Sequence, residues 1–142
     1  RERLNAQIRY ITAINEISLI VGLSMLTLGN FFGGVWANES WGRYWGWDSK
    51  ETWSYVSIIV YAIVLHLKFI PKLSSIYVYC VSSTLAYSSI IMTYFGVNFY
   101  LTGMHSYAAG DAPQIPAPFY CIIAAIILII ALAFRGRDVK TI

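Results

Sequence analysis

Eight residues, Trp41-Gly-Arg-Tyr-Trp-Gly-Trp-Asp48, and one histidine further on, His105, carry the most legible chemistry in this sequence. Three indoles, a phenol, two glycines and a carboxylate are a costly way to build an ordinary loop. Large flat rings set among glycines suit the face or edge of a large planar ligand, and a nearby imidazole suits its metal. That combination points to heme b. The segment contains no His, Cys or Met, so it would hold such a ligand by ring contact and not by coordination. As a helix lying on a membrane, it would put Trp41, Tyr44, Trp45 and Asp48 on one face, with Gly42 and Gly46 as a bare strip alongside. Trp47 adds a further ring, and Arg43 and Lys50 have the sign to meet a propionate. Interfacial enrichment of Trp and Tyr explains roughly two or three of these rings, but not the glycines.

His66 and His105 are the two histidines of the chain. His66 follows Thr52 by 14 residues, about 21 Å of helix. An ionisable residue at that depth is either a satisfied packing side chain or a functional group. His105, in Gly103-Met-His-Ser-Tyr107, is either an exposed loop histidine or a ligand; the aromatic segment on the same side favours the ligand. The two lie too far apart to share an iron, so each would need a partner from outside this chain. Cys80 and Cys121 fall at opposite membrane depths, which disfavours a disulfide and suits buried structural thiols. No C-x-x-C occurs, which excludes dithiol exchange through such a pair and a c-type heme on the chain itself.

The elements that must position these groups are membrane helices. The chain has 142 residues, 58% of them hydrophobic and 12% charged, with a mean hydropathy of +0.60. A soluble domain would need more charge to cover its surface. Apolar segments at 17–36, 52–69, 75–101 and 118–134 predict an all-α, polytopic membrane bundle of about four spans. Arg1, Arg3, Arg9, Lys68, Lys72, Arg135, Arg137 and Lys140 fall on the side of the termini, against Arg43 and Lys50 on the other. This asymmetry predicts cytoplasmic termini in a cell inner membrane, with periplasmic loops at 37–51 and 102–117. The net charge of +3 comes from helix ends and does not imply nucleic acid. Gly29 and Gly33 read as a close helix-packing pair. The chain opens Arg1-Glu2-Arg3 without Met or a visible signal sequence, as a segment or processed subunit would.

Val35-Trp-Ala-Asn38, then Trp41-Gly-x-Tyr-Trp-x-Trp-Asp48-x-Lys-Glu-Thr-Trp53, closely resembles the "WWD" signature of heme-handling proteins of cytochrome c biogenesis. Tyr61-Ala-x-x-Leu-His66 and Gly96-Val-Asn98 with Gly103-x-His-Ser-Tyr107 resemble the CcsA-type branch, the C-terminal part of the System II synthase. The resemblance covers residues 19–107. It implies transport of heme to the outer face and its covalent attachment to the C-x-x-C-H thiols of apocytochrome c. His105 would be an axial ligand at the outer site, acting with Asp48 in the attachment chemistry, and His66 an iron ligand within the membrane. The missing histidines would come from upstream residues and a CcsB-type partner. The alternative is a heme-binding transporter or chaperone of the same superfamily that forms no bond. A cytochrome b-like electron carrier would need more histidines than this chain has. Ser49 stands where the family commonly has proline, which predicts a looser turn, and the fourth span matches no family motif.

Overall fold

The computed structural model describes residues 2–101, 103–104 and 114–136, and its regular structure is helical. Helix α1 (Glu2–Trp41) runs for 40 residues, about 60 Å, well beyond the predicted span at both ends. Polar side chains inside it are satisfied locally: Thr12, Ser24 and Thr27 donate their hydroxyls to the carbonyls of Ile8, Ile20 and Leu23. The helix stops where Gly42 adopts φ 70° and its amide donates to the Asn38 carbonyl at 2.8 Å, a left-handed cap that glycine adopts without a Cβ penalty.

Helix α2 (Ser49–His66) tightens into a 3-10 turn, Leu67–Phe69. Pro71 then bars continuation, holding Ile70 extended. Helix α3 (Ile76–Ile91) is capped by the Ser75 hydroxyl, which accepts from the Val78 amide. It passes through a π-helical turn, Met92–Gly96, into α4 (Val97–Tyr100). Helix α5 (Ala117–Ala133) starts behind Pro116 with Pro118 in its first turn.

Helices α1, α2 with its 3-10 turn, and α3–α4 are long and apolar enough to cross a membrane. The predicted fourth span falls on α5, an apolar helix that at 17 residues reaches only about 26 Å and is shorter than the three that are long enough to cross. The molecule is thus an all-α membrane bundle. Helix α2 packs against both α1 and α3. Val64, Tyr79 and Ala86 form the core, with Leu19, Val60, Tyr61 and Cys80 against it. Polar links tie the three together: Lys68 to Glu16, Asn15 to Ser83, Ser54 to Asn30, and Ser57 to Thr93. Helix α5 has no buried residue and touches α3 where the Tyr77 hydroxyl donates to the Ile130 carbonyl at 3.1 Å. Both cysteines are free, but Cys121, on α5, is exposed and not buried as predicted.

Candidate functional site

The aromatic segment is not a surface helix. Residues 42–48 form an irregular link between α1 and α2, because Gly42 ends one helix and Asp48 starts the next. Asp48 is the N-cap of α2: its carboxylate accepts the Glu51 amide at 2.9 Å, and the Glu51 carboxylate reaches back to the Asp48 amide at 3.3 Å. This reciprocal capping box satisfies orphan donors of the first turn. Ser49 therefore sits at the first helical position, where proline is favoured for its fixed φ. The box closes without it, so the predicted looser turn is not seen.

Glu51 does more than cap. Its Oε2 also accepts the Gly46 amide at 2.6 Å, so one oxygen receives the amides on both sides of Trp47. Between them Trp47 has φ 58°, a left-handed conformation that a bulky residue adopts only when its surroundings over-determine it. The Thr52 hydroxyl donates to the Trp47 carbonyl at 3.3 Å. Glu51 itself is only 8% exposed, and its Oε1 lies 3.7 Å from the Arg43 guanidinium. The guanidinium lies across Gly46, where any Cβ would overlap it. Gly46 is thus covered by Arg43 and not part of a bare strip, whereas Gly42 meets nothing within 4 Å.

The predicted common face of Trp41, Tyr44, Trp45 and Asp48 does not form, since the backbone there is not helical. The rings fall into two groups. Trp41 packs edge-on against Trp36 at 5.0 Å. Trp45 packs edge-on against Trp47 at 5.5 Å and against Tyr55 at 6.3 Å. Trp47 and Tyr44 are the most open, at 68% and 63% exposure. The Trp45 indole nitrogen and Arg43 Nη1 are buried donors without a hydrogen-bond partner among the described residues. The Lys50 ammonium donates to the Asn98 side-chain oxygen at 3.4 Å, which ties α2 to α4.

Behind the loop, a cleft of about 360 Å³ opens between α1 and the start of α2, lined by Gly29, Asn30, Gly33, Trp45, Lys50 and Glu51 among others. Gly29 and Gly33 therefore do not make a close helix contact; a Cβ on either would meet nothing within 4 Å. The glycine that permits close approach is Gly34, whose Cβ would stand 3.1 Å from the Tyr44 carbonyl.

The second loop meets the first at the same end of the bundle. A Cβ on Gly103 would lie 3.5 to 3.7 Å from Ser49 and Asp48, and Arg43 Nη2 reaches the Met104 sulfur at 2.8 Å. His105 lies outside the described residues. At the other end, His66 is the last residue of α2, which is unbroken back to Ser49, so the predicted 21 Å from Thr52 is held by continuous helix. His66 is exposed, and its Nδ1 lies 2.7 Å from the Ala62 carbonyl. A carbonyl can only accept, so Nδ1 is the donor in this contact. Among the described residues, no three His, Cys, Asp or Glu side chains converge as a metal site.

Sequence reasoning gave Glu51 no role of its own. Asp48-Ser-Lys-Glu51 is itself a capping-box spacing, which could have marked Glu51 as structural. Nothing local marked Asn30, Ser54 and Thr93 as cleft residues, because three different helices bring them together.

These features define a helical membrane protein with a stapled aromatic loop at one end, met there by a second loop. Residues 2–105 match the family described as Cytochrome C assembly protein, and the chain belongs to that family. It is 57% identical over 108 residues to Protein NrfI of Wolinella succinogenes, covering 76% of this chain and 12% of that protein. It is 41% identical over 92 residues to the cytochrome c biogenesis protein CcsA of Phaseolus vulgaris, covering 65% and 28%. With CcsA of Prochlorococcus marinus the identity is 42% over 90 residues, covering 63% and 29%. The chain thus spans less than a third of the length of these relatives, and the family match ends before α5.

Proposed function

We propose that this chain is the heme-handling segment of a holocytochrome c synthase, a lyase that carries heme b outward across the membrane and joins it to apocytochrome c. The observation that carries the reading is the stapled loop: exposed Trp47 and Tyr44 on a fixed backbone, with Met104, the residue immediately before His105 in sequence, against it. The donor chemistry fits a heme as substrate. Trp41, Tyr44, Trp45 and Trp47 offer ring contacts, and Gly42 leaves room beside them. Arg43, Lys50 and the buried Trp45 indole N–H are donors suited to propionate oxygens. Asp48 holds the loop's end on α2. In attachment, each C-x-x-C-H thiol adds across a heme vinyl group, sulfur to one carbon and hydrogen to the other, with no oxidant required.

His105 serves as an axial iron ligand at the outer site and His66 as a ligand at a separate site in the membrane. Each is completed by a histidine from the remainder of the protein or from a CcsB-type partner. The loops face the periplasm and the termini the cytoplasm, as the eight-to-two division of basic residues supports. The test is co-expression of the full-length protein with an apocytochrome bearing C-x-x-C-H, reading covalent heme on a denaturing gel. The intact protein should give heme-stained cytochrome. His105→Gly should give none, and added imidazole should partly restore it by filling the vacant coordination position. Heme bound to the protein with no covalent product would instead favour a carrier that delivers heme without forming bonds.

A further inference from the structure

Glu51 is the one buried carboxylate among the described residues, and its contacts go beyond what a helix cap needs. A cap requires the Asp48 amide; the shorter bond, 2.6 Å, goes instead to Gly46. Two amides separated by one residue converge on a single acceptor only when the residue between them is turned, and Trp47 at φ 58° is so turned. This resembles the cradle that backbone amides build for anions, except that the anion is the protein's own side chain. The geometry is fastened from α2, whose first turn supplies Glu51 and Thr52, the latter bonded to the Trp47 carbonyl. The consequence is a tryptophan displayed at 68% exposure from a backbone that would otherwise relax.

We propose that Glu51 is the positioning residue of the aromatic loop, its carboxylate stapling the amides of Gly46 and Asp48 so that Trp47 stays left-handed and presents its indole to ligand. The importance of that display rests on the reading of the loop as a heme-holding surface; the staple itself does not. What the staple needs is an acceptor oxygen at the right reach. The negative charge has a separate partner, because the Arg43 guanidinium forms an ion pair with the other oxygen at 3.7 Å, without a hydrogen bond.

Two mild substitutions separate reach from charge. Glu51→Gln keeps the length and an acceptor oxygen but loses the charge. Glu51→Asp keeps the charge but is one methylene short of the Gly46 amide. The experiment uses full-length protein in detergent, without heme, labelled with 5-fluorotryptophan, with the Trp47 fluorine resonance assigned through Trp47→Phe. Glu51→Gln should leave the Trp47 resonance near its wild-type position. Glu51→Asp should shift and broaden it toward that of a mobile indole, while the Trp53 resonance, from within α2, stays fixed and reports an intact bundle. The reverse order, with Glu51→Asp native and Glu51→Gln displaced, would make Glu51 a charge partner of Arg43 and overturn the proposal. So would a Trp47 resonance indifferent to both.

A second variant guards against a trivial result. In a Trp47→Gly background the left-handed backbone carries no penalty, so Glu51→Asp should lower the Tm less than it does in the wild type; an equal drop would also overturn the staple. Hemin is added in a separate arm. If Trp47 is displaced in Glu51→Asp yet hemin retention is unchanged, the staple stands and the heme reading of this loop fails.

Discussion

Trp47, Asp48 and Glu51 form the residue-scale unit of this molecule, because three consecutive constraints on one short backbone come from the first turn of a helix. The Asp48 side chain contributes acceptor oxygen to that unit and its backbone amide a donor, so Asp48→Ala should remove the side-chain cap while leaving the rings in place. The expected cost is about 1 kcal/mol, read as a lower Tm of the purified protein, with Asp48→Asn close to wild type. An unchanged Tm in Asp48→Ala would mean that Glu51 alone starts α2. His66 presents a different case. Its Nδ1 donates to the Ala62 carbonyl at an exposed helix end, with the ring beside Phe69, and the ligand role proposed for it is tested directly. Full-length His66→Ala should copurify with little heme, and His66→Cys, still able to ligate iron, should keep some. Normal heme content and normal cytochrome assembly in His66→Ala would make it a packing residue.

At the scale of elements, glycine separates packing from space. The sequence offered Gly29 and Gly33 at the spacing of a close helix contact, yet both border an open cleft, and the neighbouring Gly34 is where the loop presses on α1. Gly34→Ala would place a Cβ 3.1 Å from the Tyr44 carbonyl, so that the stapled backbone would have to give way by a fraction of an ångström. Overpacking of that kind costs about 1–3 kcal/mol. Gly33→Ala should cost nothing beyond experimental error, and thermal unfolding of the two purified variants compares them directly. Equal losses at both positions would mean that α1 packs closely along its whole glycine stretch. The π-helical turn Met92–Gly96 matters at this scale as well. It lies where α3 passes behind the cleft, with Thr93 bonded to Ser57 and to the Trp53 carbonyl, and it rotates α4 so that Asn98 meets Lys50. Turns of this type are frequent at functional sites.

At the scale of the whole molecule, alternation of helix direction brings residues 42–48 and 103–104 to one end and the Phe69–Ser75 connection to the other. Single cysteines introduced near Gly46 and near Ser74, in a background with Cys80 and Cys121 replaced, should be labelled by an impermeant maleimide from opposite sides of the membrane. The Gly46 site should react from the periplasmic side. Reaction of Gly46 only after the cytoplasmic face is opened would invert the topology and move the proposed outer site inward. Helix α5 belongs to this scale too. It is apolar throughout, has no fully buried residue and lies outside the family match; it meets the bundle through Tyr77, against Ile130 and Phe134, and through Phe119, which shares a cavity with Met92 and Phe95.

The sequence by itself determined the helical membrane class, the family and the aromatic loop, and it singled out the two histidines, because these are local. Apolar runs, glycine and proline punctuation, and the Trp41–Asp48 and Gly103–Tyr107 signatures survive reading in one dimension. It also located the ends of the helices to within a few residues where a breaker stands, at Pro71 and at Pro116, but missed the length of α1, which no breaker interrupts before Gly42. Tertiary structure decided which rings meet, that the loop is irregular, that Glu51 is buried, and that Gly34 and not the Gly29–Gly33 pair carries the close approach. Each of these depends on a contact between segments distant in sequence or on a single left-handed residue. The type of a residue sets what it can bond, but only the packed backbone sets what lies within reach.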